Sequence, residues 1–386
     1  MKLGLLTAMF SDKPLAKVLE IIKPLGLQTV ELGAGNYPGD PHCPRKELLA
    51  SKPKRDELLA LLKGEGLEIS ALSCHGNPIH PDAAYAKANA EVEKETILLA
   101  EMLGVKVVNG FSGCPGSDPK ATLPNWVTCA WPPDYLQVLD YQWNEVVFPY
   151  WKKQAQFLKD HGVKYAFEMH PGFVVYNPET LLRLRKECGP SLGANFDPSH
   201  LFWQGMEPCE CVKALGKCIF HVHAKDSIVH TTNAAVNGVN DYKRYDDEIN
   251  RSWVFRTCGY GHDLKWWNDF FSTLRMVGYD GAISIEHEDS IMSSREGLTK
   301  AVAFLKQSVI FEKPTAMTGP DFRPETHGTG VGRHARPRLL FRRDRGREKA
   351  GCLPQKMCCS FFPTSFAPNV CTGTGRDSRR HRILTR

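Results

Sequence analysis

Residues 195–200 read Asn-Phe-Asp-Pro-Ser-His, directly after the short Gly-flanked run Ser191-Leu192-Gly193-Ala194. An apolar strand that ends by presenting an Asp and, three residues on, a His is a pattern this chain repeats. Lys164-Tyr165-Ala166-Phe167 runs into Glu168, with Met169 and His170 next. Cys218-Ile219-Phe220-His221-Val222 runs into His223 and then Ala224-Lys225-Asp226. Ala282-Ile283-Ser284-Ile285 runs into Glu286, followed by His287 and Glu288. Strands apolar on both faces that end in polar groups point to a parallel barrel with its chemistry at the C-terminal strand ends. Two Glu, one Asp and one His form a hard oxygen set plus one imidazole, suited to Mn²⁺, Mg²⁺, Co²⁺ or Zn²⁺.

Outward from these four strands the same alternation extends toward both ends of the chain. Lys2–Phe10, Thr29–Gly33, Leu67–Leu72 and Val105–Val108 read as strands one to four. Helices are expected at 15–22, 56–64 and 83–103, from their apolar spacing and their Gly or Pro stops. A Pro- and Trp-rich loop is expected from Cys114 to about Tyr141, then a helix over 143–162. Helices at 178–188, 207–215, 264–277 and 294–311 complete the later units, and a second long insertion spans Ser227–Gly261. Eight strand–helix units in roughly 310 residues match a (β/α)₈ TIM barrel, which takes ~250 residues without insertions. An open doubly wound sheet is disfavoured because no Gly-rich phosphate fingerprint follows a strand. The expected fold is therefore α/β, a TIM barrel over 1–312 with long loops after strands four and seven. A basic extension, 313–386, lacks hydrophobic periodicity and is expected to be disordered.

The formal charge of +6 over 386 residues conceals two parts. From Thr315 onward fifteen Lys and Arg stand against five Asp and Glu. Residues 1–314 hold 34 against 38, a formal −4, which offers no basic footprint for nucleic acid. No apolar run approaches the ~20 residues of a membrane helix. The thirteen Cys are scattered and match no CxxC zinc pattern, so reduced thiols and a cytoplasmic setting are expected. The expected partner is a small carbohydrate, with neither nucleic acid nor membrane, and assembly into a homo-oligomer is left open.

The motifs FEMHP (167–171), NFDPSH (195–200), HVHAKD (221–226) and ISIEHED (283–289), in that order, resemble the sugar phosphate isomerase/epimerase family within the xylose isomerase-like TIM barrel superfamily. The resemblance covers roughly residues 1–312. It implies one divalent metal ion, Mn²⁺ foremost, on Glu168, Asp197, His223 and Glu286. It also implies that His200 faces the substrate. The family spans ketose epimerases, sugar isomerases, dehydratases and apurinic endonucleases. The nuclease branch needs further His and Asp ligands for a three-zinc cluster. Here strand four ends in Asn109, and His223 leads into Lys225-Asp226-Ser227 rather than an Asp-x-His pair.

The chemistry expected of such a site is proton transfer next to a carbonyl. A metal stabilises the enediolate, and Glu168 and Glu286 are the catalytic acid/base candidates. His75, His200, Lys225 and Arg256 are candidate substrate contacts, and Trp126, Trp131 and Trp143 could stack on a sugar or an aglycone. The leading reading is a metal-dependent isomerase or epimerase on a sugar or keto-sugar derivative. A lyase or dehydratase on a keto-sugar or 3-keto-glycoside shares the ligands and the base and is its alternative.

Overall fold

The structure, a computed structural model, describes residues 1–314. Ten strands occur among them: β1 (Lys2–Leu6), β2 (Thr29–Gly33), β3 (Glu68–Ser73), β4 (Val107–Gly110), β5 (Lys164–Glu168), β6 (Leu192–Phe196), β7 (Ile219–Ala224), β8 (Asp226–Val229), β9 (Trp253–Arg256) and β10 (Ala282–Ile285). Eight close into a barrel in the order β1-β10-β7-β6-β5-β4-β3-β2, and every pairing in it is parallel. Strands β2 and β6 are buried at all five positions, as expected of strands covered by side chains inside and helices outside. The TIM barrel read from the sequence is thus the observed fold.

Local chemistry sets where the helices start and stop. The longest, Ala83–Leu103, starts where the Asp82 carboxylate accepts the Tyr85 N–H at 2.9 Å. It stops at Gly104, whose φ of +74° is a left-handed conformation that glycine adopts without a Cβ clash. At Gly110, the last residue of β4, a Cβ would stand 2.0 Å from the Tyr165 hydroxyl. Glycine there lets Tyr165 cross toward Glu93 on the Ala83–Leu103 helix.

Several boundaries differ from the sequence reading. The first strand ends at Leu6, and Thr7–Phe10 form a 3₁₀ turn. The second helical region is two helices, Arg45–Ala50 and Lys52–Gly64. The loop after β4 is shorter than expected, because Asp134–Tyr141 is helical and continues through a π-helical turn, Gln142–Val147, into Phe148–Asp160. Leu136, Leu139 and Trp143 share the spacing of one helical face, a signal masked by Pro132-Pro133 just before it. The closing helix ends at Leu305.

The insertion after β7 is also more than a loop. β8 and β9 pair antiparallel, from Asp226↔Arg256 to Val229↔Trp253, around a helix at Thr231–Asn237. A small apolar cluster of its own supports this hairpin. Trp203 and Trp253 stack with centroids 4.6 Å apart, and Phe255 packs beside them. The partner strand lies more than twenty residues downstream, beyond the reach of local pattern reading. The basic extension falls, after Pro314, outside the described residues.

Candidate active site

The barrel order makes β5, β6, β7 and β10 four successive strands of the ring. Each delivers one polar group at its C-terminal end: Glu168 closes β5, Asp197 follows β6, His223 is the penultimate residue of β7 and Glu286 follows β10. One ligand atom from each of the four lies within 4.8 Å of every other. His223 Nδ1 is 3.0 Å from Glu286 Oε2 and 3.4 Å from Glu168 Oε2. Ligands held ~2.1 Å from one ion are spaced roughly 3–3.5 Å apart, so this spacing fits a divalent cation.

The unsatisfied atoms agree with that fit. Among the described residues, Asp197 Oδ2 and His223 Nδ1 are buried and have no hydrogen-bond partner. A buried carboxylate oxygen and imidazole nitrogen without partners are costly unless something charged completes them. The 3.0 Å approach of Nδ1 to Glu286 lacks the geometry of a hydrogen bond, so Nδ1 is left for a cation, toward which it would turn its lone pair. The residues present therefore fit a metal.

The other nitrogen of His223 is equally well determined. Nε2 stands 3.1 and 3.0 Å from the two oxygens of Glu31, at the centre of β2. Glu31 is itself held by the Ser73 hydroxyl and by the Asn109 side-chain N–H at 2.8 Å. His221 Nε2 lies 3.6 Å from Glu31 Oε2, and Asn195 Oδ1 is 3.0 Å from His221 Nδ1. A fully buried polar layer thus sits in the barrel core beneath the acid cluster.

Two further histidines stand against Glu168. His75 Nε2 lies 3.0 Å from its Oε2, and His200 Nε2 lies 3.1 Å from its Oε1. Lys225 Nζ is buried and reaches Glu286 at 3.2 Å, Asp197 at 3.8 Å and Glu288 at 2.5 Å, while lying 4.3 Å above the Phe255 ring.

Charge balance follows from these contacts. Burial works to raise the Glu168 carboxyl, but its contacts with His200, His223 and His75 outweigh burial and hold it well below the usual carboxylate range. Glu286 also resists burial and is lowered to about 2 by Lys225 and His223. Asp197 goes the other way: burial dominates and lifts it to about 6 against His200 and Lys225. Burial lowers His223, yet Glu31 and Glu286 hold it well above its ordinary value. Burial likewise keeps Lys225 from raising its own charge affinity, and Glu286 and Glu288 overcome it.

A cavity of about 280 Å³ opens above the cluster. Its acidic wall carries Glu168, Glu286, Glu288 and Lys225, and its other wall carries Tyr37, His75, Phe111 and His170. That second wall is aromatic and continuous: Phe111 stacks on Phe173 at 4.2 Å and meets His75 edge-on at 4.7 Å. A second cavity of about 280 Å³ is lined by Trp126, Trp143, Tyr176 and Arg183 and holds no residue of the acid cluster.

Of the residues singled out in the sequence, the structure brings Glu168, Asp197, His223, Glu286, His75, His200 and Lys225 together. Arg256 stands apart: its Nη1 pairs with Glu248 at 2.9 Å and lies 3.6 Å from Asp289. Trp126 and Trp143 face the second cavity, and Trp131 is 74% exposed. His170 lies against His200, ring centroids 4.1 Å apart, as part of the aromatic wall. Glu31, His221, Tyr37, Phe111 and Glu288 were not anticipated. For Glu31 a signal existed, a lone charge inside the otherwise buried strand Thr29-Val30-Glu31-Leu32-Gly33. The nine cysteines among the described residues are free thiols, and no described helix is long and apolar enough to cross a membrane.

Residues 19–308 match the family of xylose isomerase-like TIM barrels. The uncharacterized protein YfiH of Bacillus subtilis is 40% identical over 312 residues, which cover 80% of this chain and 99% of YfiH. The rhizopine catabolism protein MocC of Rhizobium meliloti is 33% identical over 84 residues, 22% of this chain and 26% of MocC. Among solved structures, a D-tagatose 3-epimerase-like protein superposes with a TM-score of 0.55 at 23% identity, over 80% of this chain and 97% of that one. The probable 3-DHS dehydratase AsbF of Bacillus anthracis gives 0.54 at 17% identity, over 79% and 99%. At these identities the two structures speak to the fold alone.

Proposed function

This chain belongs to the family of xylose isomerase-like TIM barrels, and from that premise we propose that it is a divalent-metal-dependent isomerase or epimerase acting on a sugar or keto-sugar derivative. The observation that carries the proposal is the convergence of Glu168, Asp197, His223 and Glu286 within 4.8 Å, with Asp197 Oδ2 and His223 Nδ1 buried and unpartnered.

In this reading those four residues hold the cation. When bound it supplies Lewis acidity, which makes a hydrogen on carbon next to a carbonyl easier to remove. Glu168 closes β5 and Glu286 follows β10, three places apart round the ring, so they reach the cavity from different strands. One carboxylate takes the proton from carbon, the C–H electron pair becomes the new carbon–carbon double bond, and the C=O π pair moves onto the carbonyl oxygen to give the enediolate. The other carboxyl, once it has taken a proton from solvent, returns that proton to carbon, on the opposite face for an epimerase or at the neighbouring carbon for an isomerase. His200 Nε2 meets Oε1 of Glu168 at 3.1 Å and His75 Nε2 stands 3.0 Å from its Oε2, so its orientation is set before substrate arrives. Lys225, anchored by Glu288, offers N–H donors to a substrate oxygen. The aromatic wall of Tyr37, Phe111 and His170 covers the apolar C–H face of the sugar.

The test is proton exchange in heavy water. A panel of ketoses and 3-keto-glycosides is incubated with the protein and Mn²⁺, Mg²⁺, Co²⁺ or Zn²⁺, and deuterium at the carbon beside the carbonyl is read by NMR. Exchange accompanied by an epimer or isomer supports the proposal. Exchange accompanied by release of a leaving group moves the assignment to a lyase. The absence of exchange on every member, with metal demonstrably bound, overturns both.

A further inference from the structure

We infer that Glu31 is a positioning residue: it fixes the proton of His223 on Nε2 and so commits Nδ1 to the metal. The inference rests on the metal-site reading above, but its test does not depend on the substrate.

The geometry is specific. An imidazole with one proton can carry it on either nitrogen, and only the bare nitrogen can bind a cation. In His223, Nε2 faces both oxygens of Glu31 at 3.0 and 3.1 Å, and Nδ1 faces Glu286 and Glu168 without hydrogen-bond geometry. A bare Nε2 there would set its lone pair against a carboxylate, so the proton belongs on Nε2. Ligand histidines commonly donate their second N–H to a carboxylate, which fixes ring orientation and strengthens the bond to metal.

Glu31 is also built to stay in place. It is completely buried, on a strand of the barrel rather than on a loop. Three elements converge on it, through Ser73 on β3, Asn109 on β4 and His221 on β7. An inward-facing carboxylate in a barrel core is a costly choice where an apolar side chain would pack. Its two histidine neighbours and two donors are the compensation, and the residue it orients is the one imidazole among the four candidate ligands.

Asn195 supplies a way to separate this role from plain structural support. Its side-chain nitrogen, itself a donor, lies 3.1 Å from His223 Nε2 and cannot accept a proton from it, so Glu31 is the acceptor there, and the Asn195 oxygen lies 3.0 Å from His221 Nδ1. Converting it to Asp would move a carboxylate acceptor onto the same Nε2 without moving a ligand.

The experiment measures Mn²⁺ affinity by calorimetry and the Co²⁺ visible spectrum, with metal-free melting as the fold control. Glu31→Gln is expected to weaken Mn²⁺ binding about 10–100-fold and to alter the Co²⁺ bands, while the metal-free chain still melts cooperatively. Adding Asn195→Asp to that variant is expected to recover most of the affinity. A folded Glu31→Gln chain with wild-type Mn²⁺ affinity and Co²⁺ bands overturns the inference, as does a loss that Asn195→Asp leaves unchanged. If Glu31→Gln does not fold, Ser73→Ala and Asn109→Ala decide, since they loosen Glu31 and keep every ligand. Weaker metal binding in those variants supports the role, and unchanged affinity in both overturns it. Failure to bind Mn²⁺ in the unmodified chain would instead strike the metal-site reading itself.

Discussion

Glu93 and Glu168 are the same side chain at nearly the same depth, 2% and 3% exposed, yet they ionise in opposite senses. Glu93 lies on the Ala83–Leu103 helix, outside the barrel wall, where the hydroxyls of Tyr150 and Tyr165 donate to it at 3.1 and 3.4 Å. Burial dominates there and raises it to about 8. Glu168 suffers the same burial, but His200, His223 and His75 surround it and it stays far below the carboxylate norm. Among the described residues Glu93 has no salt-bridge partner, whereas the barrel mouth is a mesh of them. Depth sets how strongly a site penalises charge, and the neighbours decide whether the charge survives. Charge kept at depth marks the chemical end of this barrel, and charge given up marks its packing layer.

The sharpest way to break this contrast is to remove the charge where it is kept. Glu168→Gln and Glu286→Gln are each expected to lower turnover about 10²–10⁴-fold while some metal is retained. Steady-state rates at saturating metal, once a substrate is found, check this, and wild-type-like turnover in either variant would sink the two-carboxylate mechanism.

Removing the balancing cation attacks the same contrast from the other side. Lys225→Met leaves Glu286 and Asp197 uncompensated in the metal-free chain, a loss expected to cost about 3–5 kcal/mol. Added Mn²⁺ should recover a good part of it, because a cation then replaces the ammonium. Urea unfolding with and without Mn²⁺ is the measurement, and equal stability of the two metal-free chains would show that Lys225 carries no such burden.

At Glu93 the prediction concerns pH. Its folded value, about 8, lies above the unfolded value of 4.5, so between those limits the unfolded chain holds fewer protons on this group. Stability from this residue is therefore complete below pH 4.5 and is lost as pH rises through 8. The full swing is on the order of 5 kcal/mol. Glu93→Gln should leave turnover unchanged, flatten this decline and unfold at higher urea than wild type above pH 8. Parallel pH profiles for the two chains would show that Glu93 is ionised in the fold.

The smallest expected effect refines the packing side. Tyr150→Phe removes one hydroxyl that donates to Glu93 and should cost about 1 kcal/mol at pH 5, with a larger cost once Glu93 ionises. Urea midpoints at pH 5 and pH 9 test the difference.

How much of this was readable in advance depends on how local each signal is. Glu168, Asp197, His223 and Glu286 were legible because each directly follows an apolar run, and the strand end that a residue occupies is a matter of sequence adjacency. Lys225 came with them as the second residue after His223. Arg256 has no such adjacency: it lies on a hairpin whose pairing to β8 sets it against Glu248, a placement that strand pairing decides. Glu31 and His221 escaped because their meaning depends on strands far apart in the chain. The aromatic wall draws Tyr37, Phe111 and His170 from three different strand ends, which no single stretch announces.

The sequence by itself determined the eight-unit alternation, the TIM barrel and the four polar strand ends, since burial on both faces and period-two or helical spacing are written in consecutive residues. Tertiary structure alone decided the rest. Closing the ring through β1 and β10 places four ligand atoms within 4.8 Å of one another. It seats Glu31 under His223 from 192 residues away, and leaves Glu93, a carboxylate no different on paper, with two tyrosines and no cation. The physical reason is that a carboxylate's role depends on the charges within a few ångströms of it, and in a closed barrel those neighbours are supplied by register and ring order rather than by the chain on either side.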